Sequence, residues 1–97
     1  MDIKQLITFR TLAQEKNYMK TSEKLSYAPS TLAKHIRSLE DELQVQLVEY
    51  RNGKIELTYD GKRFMRYADE MLSVYFKLQY EFDQTKSTIG TIRVAGG

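Results

Sequence analysis

The sequence of 97 residues contains no cysteine, no tryptophan, one proline and one histidine, and its formal net charge is only +2. Without cysteine there is no disulfide framework, no thiol nucleophile and no cysteine-based zinc site, and a single histidine excludes histidine-rich metal sites. No apolar stretch approaches the ~20 residues that span a bilayer, and the first residues do not resemble a signal peptide. We therefore expect one small cytoplasmic domain with no membrane segment, no metal and no cofactor.

The small net charge conceals a segregation of charges along the chain. Residues 16–37 carry five Lys and Arg residues against one acidic residue, and residues 51–66 carry five against two. Residues 38–50, which separate them, carry four acidic residues and no basic one. A basic face forms if the two basic segments fold side by side. Charge alone also fits an ordinary solvated surface, so the elements that carry these residues decide the question.

The first half of the chain shows the spacing of three helices. Apolar residues recur every three or four positions over residues 3–15, which predicts an amphipathic helix. Asn17 suits the N-cap of a second, short helix. After a break at residues 26–28, Pro29 suits the first position of a third helix, where its missing N–H has no intrahelical partner. The apolar stripe of this third helix consists of Leu32, Ile36, Leu39 and Leu43.

A short hairpin is predicted after the third helix. Residues 47–50 and 55–58 are β-prone runs, and the Asn52-Gly53 pair between them favours a type I′ turn. Basic residues flank this turn, so the hairpin tip is positively charged. The order helix, short helix, turn, longer helix, hairpin is that of a winged helix-turn-helix, a mainly α fold with a two-stranded β-hairpin wing.

A long helix is predicted after the hairpin. Thr58 can cap it, and residues 62–87 contain neither proline nor glycine. Apolar residues recur in it at the spacing of a helix-pairing seam. We predict that this seam forms a dimer interface, although its first turns can also pack against their own domain. The seam residues are Phe64, Ala68, Met71, Tyr75, Leu78 and Phe82. Beyond the helix, residues 90–97 predict a β-strand that has no partner in this chain.

The third helix and the wing carry side chains that suit nucleic acid. In a winged helix-turn-helix the second of the paired helices lies in the major groove, and the wing reaches the minor groove or the backbone. We predict a recognition helix over about residues 29–42 and a wing over residues 50–55. The predicted contacts from these elements and the preceding helix are Lys20, Lys24, Ser30, Thr31, Lys34, His35, Arg37, Arg51, Asn52 and Lys54. His35 equally fits a hydrogen-bonding surface residue.

Several motifs occur in a characteristic order. They are the opening Met1-Asp2-Ile3-Lys4-Gln5-Leu6 with Phe9, the run Leu39-Glu40-Asp41-Glu42-Leu43 with Val45 and Leu47, Leu57-Thr58 with Gly61, and Gly90-Thr91-Ile92-Arg93-Val94. Over essentially its whole length the chain resembles the N-terminal DNA-binding domain and linker helix of LysR-type transcriptional regulators. The resemblance implies a homodimer on roughly palindromic double-stranded DNA, with dimer and tetramer both open for the intact protein. It also implies a C-terminal domain, absent from this chain, that senses a small-molecule effector.

The chain departs from the family pattern in the recognition helix. Pro29 stands where the family commonly uses a glutamine on DNA, and Ala33 stands where it has a serine. Both positions belong to the predicted DNA surface, and the Ala33 methyl group can contact a thymine methyl group. Ala28 replaces the capping serine, a loss of about 1 kcal/mol of helix stability. These replacements bear on which bases are read.

The predicted organisation has three parts. Residues 1–60 form the winged helix-turn-helix domain, residues 61–88 form the linker helix that dimerises, and residues 89–97 begin the missing effector-binding domain. A different class of function stays open, namely a helical protein–protein interaction module that does not bind DNA. The basic segments and the wing argue against it. No nucleophile–base set, phosphate loop or metal-ligand spacing indicates an enzyme.

Overall fold

A computed structural model describes the backbone of residues 1–96 and the side chains of residues 1–84. Within that part of the chain, helices and one antiparallel hairpin follow one another in the predicted order. The elements are α1 (Ile3–Glu15), α2 (Tyr18–Leu25), α3 (Pro29–Leu43), β1 (Val48–Arg51), β2 (Lys54–Leu57) and α4 (Tyr59–Gly96). The predicted fold class, a winged helix-turn-helix followed by a long helix, is confirmed.

Helices α1 and α2 begin at capping side chains, whereas α3 begins at a proline. The Asp2 side chain accepts a hydrogen bond from the Gln5 backbone N–H, and the Gln5 side chain accepts one from the Asp2 backbone N–H. The Asn17 side chain accepts from the Lys20 backbone N–H at 2.8 Å, as predicted. Pro29 is the first residue of α3, and Ala28 before it makes no side-chain cap. The start of α3 therefore depends on proline rather than on a capping hydrogen bond.

The wing is a hairpin with the predicted turn. Asn52 and Gly53 both have positive φ angles, of 54° and 76°, as a type I′ turn requires. Tyr50 pairs with Ile55, whose side chain is buried in the core. The Ile55 backbone N–H donates to the Lys16 carbonyl at 3.0 Å, which attaches the wing to the end of α1. The wing is thus held against the helices and is not an independent ribbon.

Helix α1 lies at the centre of the core. It packs against α2, α3 and α4, and its Phe9 ring lies 5.2 Å from the Phe64 ring of α4. The buried apolar residues of the core are Leu6, Phe9, Leu12, Leu32, Ile36, Leu39, Leu47, Ile55, Phe64, Ala68 and Leu72. Helix α1 contacts both α3 and α4, and the C-terminal end of α3 lies near the first turns of α4, where Leu43, Phe64 and Tyr67 border one cavity.

The strand that we predicted at the C-terminal end is not formed. Helix α4 continues to Gly96, so the backbone of residues 90–94 is helical. A strand satisfies its backbone N–H and C=O groups only by pairing with another strand, and the described sheet consists of β1 and β2 alone. A helix makes these hydrogen bonds within its own segment. The side chains of residues 85–97 and the structure of Gly97 lie outside the described residues.

The predicted seam on α4 divides into two parts. Phe64 and Ala68, which we assigned to dimerisation, are buried in the core of their own domain. They are therefore not available to a partner helix, which corrects that assignment. Leu72, which lies outside the predicted seam, is also buried there. The reason is that the first four turns of α4 lie on α1, so the stripe faces the domain before it faces solvent.

Candidate nucleic-acid interface

The turn between α2 and α3 sets the direction of the recognition helix. Ser26 ends α2 in the left-handed conformation with φ 61°, and its backbone N–H donates to the Ser22 carbonyl. The Ser22 hydroxyl donates to the Tyr27 carbonyl on the other side of the turn. The turn is therefore closed by hydrogen bonds on both sides, so that α3 leaves it at a defined angle.

The outward face of α3 carries cationic and hydroxyl side chains. Ser30, Lys34 and Arg37 are exposed, and their spacing of four and three residues places them on one helix face. This face is opposite the buried Leu32 and Ile36. Neither Lys34 nor Arg37 forms an ion pair within the described part of the chain, so both charges are available to a phosphate or a base.

The remaining predicted residues of α3 are half-buried at its edges. Pro29 and Ala33 lie on one edge of the outward face, and Thr31 and His35 lie on the other. The His35 Nδ1 atom is hydrogen-bonded to the Thr8 hydroxyl of α1 at 2.8 Å, and its ring meets the Tyr27 ring edge-on at 5.3 Å. His35 is thus bound into the junction of α1 and α3, whereas Lys34 beside it projects outward.

A row of polar contacts, which the sequence did not predict, joins α1 and α3. Besides the Thr8–His35 hydrogen bond, the Gln5 side-chain amide donates to the Ser38 hydroxyl at 3.2 Å. The Met1 ammonium group lies 2.6 Å from the Glu42 carboxylate. From Met1 to Thr8 the contacts run towards the C-terminus of α1, and their partners run from Glu42 towards the N-terminus of α3. Together they fix the rotation of α3 relative to α1. In both segments the polar residues recur every three or four positions, which places them on one helix face. The sequence alone does not reveal that these two helices are neighbours.

The basic residues outside α3 differ in how they are paired. Lys24 of α2 forms an ion pair with Glu15 at 2.8 Å, and Arg51 of the wing lies 3.5 Å from Glu49. Lys20 and Lys54 have no ion-pair partner among the described residues. The structure therefore brings exposed cations to α2, α3 and the wing, with the charge of Lys24 partly neutralised.

The wing also presents an aromatic residue that we did not predict as functional. Tyr50 is 73% exposed, directly before Arg51 on β1. It lies near Tyr18 of α2, which is half-buried between the helices and the wing. Burial raises the pKa of the Tyr18 hydroxyl, and the neighbouring Glu40 carboxylate and Tyr50 raise it further. Tyr18 therefore stays neutral and packs the base of the wing against α2.

These elements define a class of protein: a winged helix-turn-helix with a cationic recognition helix and a long helix behind it. The sequence profile described as "Bacterial regulatory helix-turn-helix protein, lysR family" matches residues 3–62. The chain belongs to the lysR family of bacterial regulatory helix-turn-helix proteins.

Individual relatives agree with this assignment. The chain is 35% identical over 94 residues to the uncharacterized HTH-type transcriptional regulator YwqM of Bacillus subtilis, covering 97% of this chain and 32% of YwqM. It is 39% identical over 75 residues to the transcriptional regulator CitR of the same organism, covering 77% of this chain and 26% of CitR. The chain thus spans about a third or less of the length of these curated relatives.

A solved structure matches almost the whole described fold. The crystal structure of the BenM_DBD complex with benA site 1 DNA superposes with a TM-score of 0.80 at 29% identity, covering 90% of this chain and 98% of that one. Full-length BenM matches with a TM-score of 0.74 at 31% identity, covering 82% of this chain and 26% of that one. No helix in the described part of the chain is both long enough and apolar enough to cross a membrane.

Proposed function

We propose that this chain binds double-stranded DNA in a sequence-specific manner as the DNA-binding part of a transcription regulator. The observation that carries the proposal is the outward face of α3, where Ser30, Lys34 and Arg37 are exposed together. The N-terminal turns of α3 enter the major groove, and Arg51, Asn52 and Lys54 of the wing approach the minor groove or the backbone. Its relatives are transcriptional regulators by name, so we propose a binding role without catalysis.

The contacts have different roles. Lys34 and Arg37 can reach phosphates or guanine edges, whereas the Ser30 and Thr31 hydroxyls and the α3 N-terminus suit a phosphate. Pro29 and Ala33, at the edge of the outward face, make apolar contacts with the DNA. His35 also contacts the DNA, with its ring held in place by the hydrogen bond to Thr8. Lys20 and Lys24 serve as backbone contacts from α2.

A salt titration with a duplex tests DNA binding. We expect affinity to fall as salt rises, because each neutralised phosphate contributes about 0.9 to the slope of log K against log salt. Lys34→Ala combined with Arg51→Ala should lower the affinity at least tenfold and reduce the slope by about 1–2 per chain. The matched control is Lys4→Ala with Lys77→Ala, which removes two charges from other surfaces. No binding at low salt, or equal losses in both variants, would favour the interaction module that does not bind DNA.

We also propose that the chain dimerises through the part of α4 beyond its own core. Four residues of this face, Tyr67, Met71, Val74 and Leu78, are exposed at spacings of four, three and four residues. Tyr75 and Phe82 flank the same face. An apolar stripe of this length on a helix is typical of an interface with another helix.

Charge favours an antiparallel pairing of the two α4 helices. The first turns carry Lys62, Arg63 and Arg66 with Asp60, and the later turns carry Glu81 and Asp83 with Lys77, so the first end is net basic and the later end net acidic. Antiparallel helices place the basic end of one copy beside the acidic end of the other, whereas parallel helices place like charges together. In this arrangement the centre lies between Met71 and Val74.

Two measurements test the dimer. Sedimentation should give a dimer mass that Met71→Asp with Leu78→Asp converts to a monomer mass. Gln14→Asp with Gln46→Asp adds two aspartates at exposed positions outside α4 and should leave the mass unchanged. Because the chain has no cysteine, a Met71→Cys copy mixed with a Val74→Cys copy should oxidise to a mixed disulfide dimer if the helices are antiparallel. Crosslinking of Met71→Cys with itself would contradict the antiparallel order. A mass of one chain at all concentrations would contradict the dimer.

The organisation of the longer protein is a further part of this proposal. We place the DNA-binding domain at residues 1–60, the linker helix at residues 61–88 and the beginning of an effector-binding domain at residues 89–97. The support is that relatives such as YwqM are about three times as long as this chain. A small-molecule response is then expected of the longer protein and not of the 97-residue chain, which DNA titrations of both can compare.

A further inference from the structure

The Glu40 side chain connects the recognition helix to the wing, and the proposed DNA contacts do not include it. Its Oε2 atom accepts hydrogen bonds from the backbone N–H groups of Leu47 at 2.8 Å and Val48 at 3.4 Å. Glu40 lies in the last turn of α3, and Val48 is the first residue of β1. A side chain of α3 therefore holds the point at which the chain enters the wing.

The backbone between α3 and β1 depends on this carboxylate. Leu47 is fully buried, so its N–H group requires a partner within the protein. Glu40 forms no ion pair among the described residues, so no cation competes for its carboxylate. The Glu40 carbonyl also accepts from the N–H groups of Gln44 and Val45. One residue thus closes both the end of α3 and the connection to β1.

The wing is attached to the helices through both of its strands, but only β1 is attached to the recognition helix. On β2, the Ile55 N–H donates to the Lys16 carbonyl at the end of α1. In the described part of the chain, Glu40 is the α3 side chain that hydrogen-bonds to the segment entering the wing. The orientation of the wing relative to α3 therefore depends on Glu40.

We propose that Glu40 is a positioning residue for DNA binding, which holds β1 so that α3 and the wing engage one duplex together. The inference rests on the proposed function, because it requires that both elements contact DNA. Glu40 is not itself a contact, since its negative charge repels phosphates. A wing without this attachment has more freedom to lose when it binds, which weakens association.

Two neutral variants separate the hydrogen bonds of Glu40 from its charge. Glu40→Gln and Glu40→Ala both remove the charge, but only glutamine keeps a side-chain oxygen that can accept from Leu47 and Val48. In the 97-residue chain, we expect the alanine variant to bind duplex about three- to tenfold more weakly than the glutamine variant, as for lost hydrogen bonds.

Asp2→Ala is the matched control for this comparison. It also removes one negative charge and a carboxylate that accepts a backbone N–H at 2.8 Å, but within the first turn of α1. Its duplex affinity should stay within about twofold of the original, because a distant exposed charge is screened by salt. Circular dichroism checks that all three variants are folded.

A double-mutant cycle distinguishes positioning of the wing from a general loss of structure. When Arg51→Ala and Lys54→Ala have removed the cations of the wing, the alanine and glutamine variants of Glu40 should bind duplex equally. With Lys34→Ala, which leaves the wing intact, the difference between them should persist. A difference of the same size in both backgrounds would mean that Glu40 only stabilises the fold, and the proposal would be wrong.

Amide hydrogen exchange keeps this inference separate from the proposed function, because it needs no DNA. The Leu47 and Val48 N–H groups should exchange faster in Glu40→Ala than in Glu40→Gln. Equal exchange in the two variants would overturn the inference. If the original chain binds no duplex, the proposed function fails, and the exchange rates alone decide whether Glu40 holds the wing. If it binds duplex and both Glu40 variants bind equally well, DNA binding stands and the positioning role is contradicted.

Discussion

At the scale of single residues, the surface of α3 depends on partners that lie in other helices. Lys34 and His35 are adjacent in sequence, yet one is exposed and the other is bound to Thr8 of α1. Thr8 is fully buried, and a buried hydroxyl requires a hydrogen-bond partner, which the His35 imidazole provides. The orientation of α3 relative to α1 is therefore partly determined by a buried threonine of α1.

Thr8→Val should destabilise the chain by about 1–2 kcal/mol, because it keeps the shape but leaves His35 Nδ1 without its hydroxyl partner. Urea unfolding measures the change. Thr8→Ser retains the hydroxyl and should lose less. A valine variant as stable as the serine variant would show that the hydrogen bond contributes nothing.

Tyr18 predicts a dependence of stability on alkaline pH. Its pKa in the folded chain is raised, chiefly by burial, above the ordinary value of 10.0. The unfolded chain therefore releases the Tyr18 proton first, so the stabilisation by neutral Tyr18 is complete below pH 10 and is lost as pH rises through the folded pKa. Urea unfolding between pH 9 and pH 11 should show a shallower decline for Tyr18→Phe than for the original chain. Tyr80→Phe, at an exposed position, should show the original slope.

At the scale of elements, two glycines have different roles, one in the turn of the wing and one where the wing meets α4. Gly53 provides a positive φ angle in the wing turn, in open space. Gly61 has a different role, because a Cβ atom there would lie 2.1 Å from the Leu47 carbonyl oxygen. That oxygen also accepts a hydrogen bond from the Thr58 N–H, so the start of α4 is pressed against the loop before β1.

Gly61→Ala should destabilise the chain by about 1–3 kcal/mol or more, since a backbone carbonyl cannot move aside without breaking its hydrogen bond. Thermal unfolding measures the loss. The strain lies at the junction of the wing and α4, so it should also displace the wing. We therefore expect the Gly61→Ala variant to bind DNA more weakly. An unchanged midpoint would mean that α4 shifts to accommodate the methyl group.

Gly53→Ala is the contrasting case. The added methyl group meets nothing within 4 Å, so only the positive φ angle opposes it. We expect a loss of about 1 kcal/mol, smaller than for Gly61→Ala, in the same thermal measurement. A larger loss at Gly53 than at Gly61 would reverse the roles that the structure gives to the two glycines.

At the scale of the whole molecule, α4 joins two functions. Its first four turns complete the core through Phe64, Ala68 and Leu72, and the following turns expose the stripe that we assign to dimerisation. In the dimer that we propose, a change in how the two α4 helices pair would move the two winged domains relative to each other. The spacing of the two DNA half-sites would then depend on the dimer and not on the winged domain alone.

The salt dependence of DNA binding tests this connection. If two winged domains bind one site, Met71→Asp with Leu78→Asp should reduce the slope of log K against log salt to about half, because one domain neutralises half as many phosphates. A duplex that carries both half-sites is the appropriate probe, and a single half-site is the control. An unchanged slope would show that each domain binds alone.

Much of this protein was readable from local patterns. The limits of α1, α2 and α3, the Asn17 cap, the Pro29 start and the Asn52-Gly53 turn depend on neighbours within a few residues, so the sequence predicted them. The sequence did not predict which of the α3 residues are exposed. Lys34 is exposed and His35 is half-buried because of where α1 packs against α3. The strand expected at residues 90–97 was wrong over the described residues 90–96, since a strand needs a partner that a local pattern cannot supply.

The sequence by itself determined the order of the elements, the family and the segregation of charge. Only the tertiary structure decided which faces meet: Phe64 and Ala68 against α1, Thr8 against His35, and Gly61 against Leu47. It also divided the basic segment of residues 51–66 between the wing and the first turns of α4. The physical reason is that helix and turn formation are local, whereas burial and charge clustering depend on how distant segments pack. The net charge of +2 therefore conceals basic residues on α3, on the wing and on the first turns of α4.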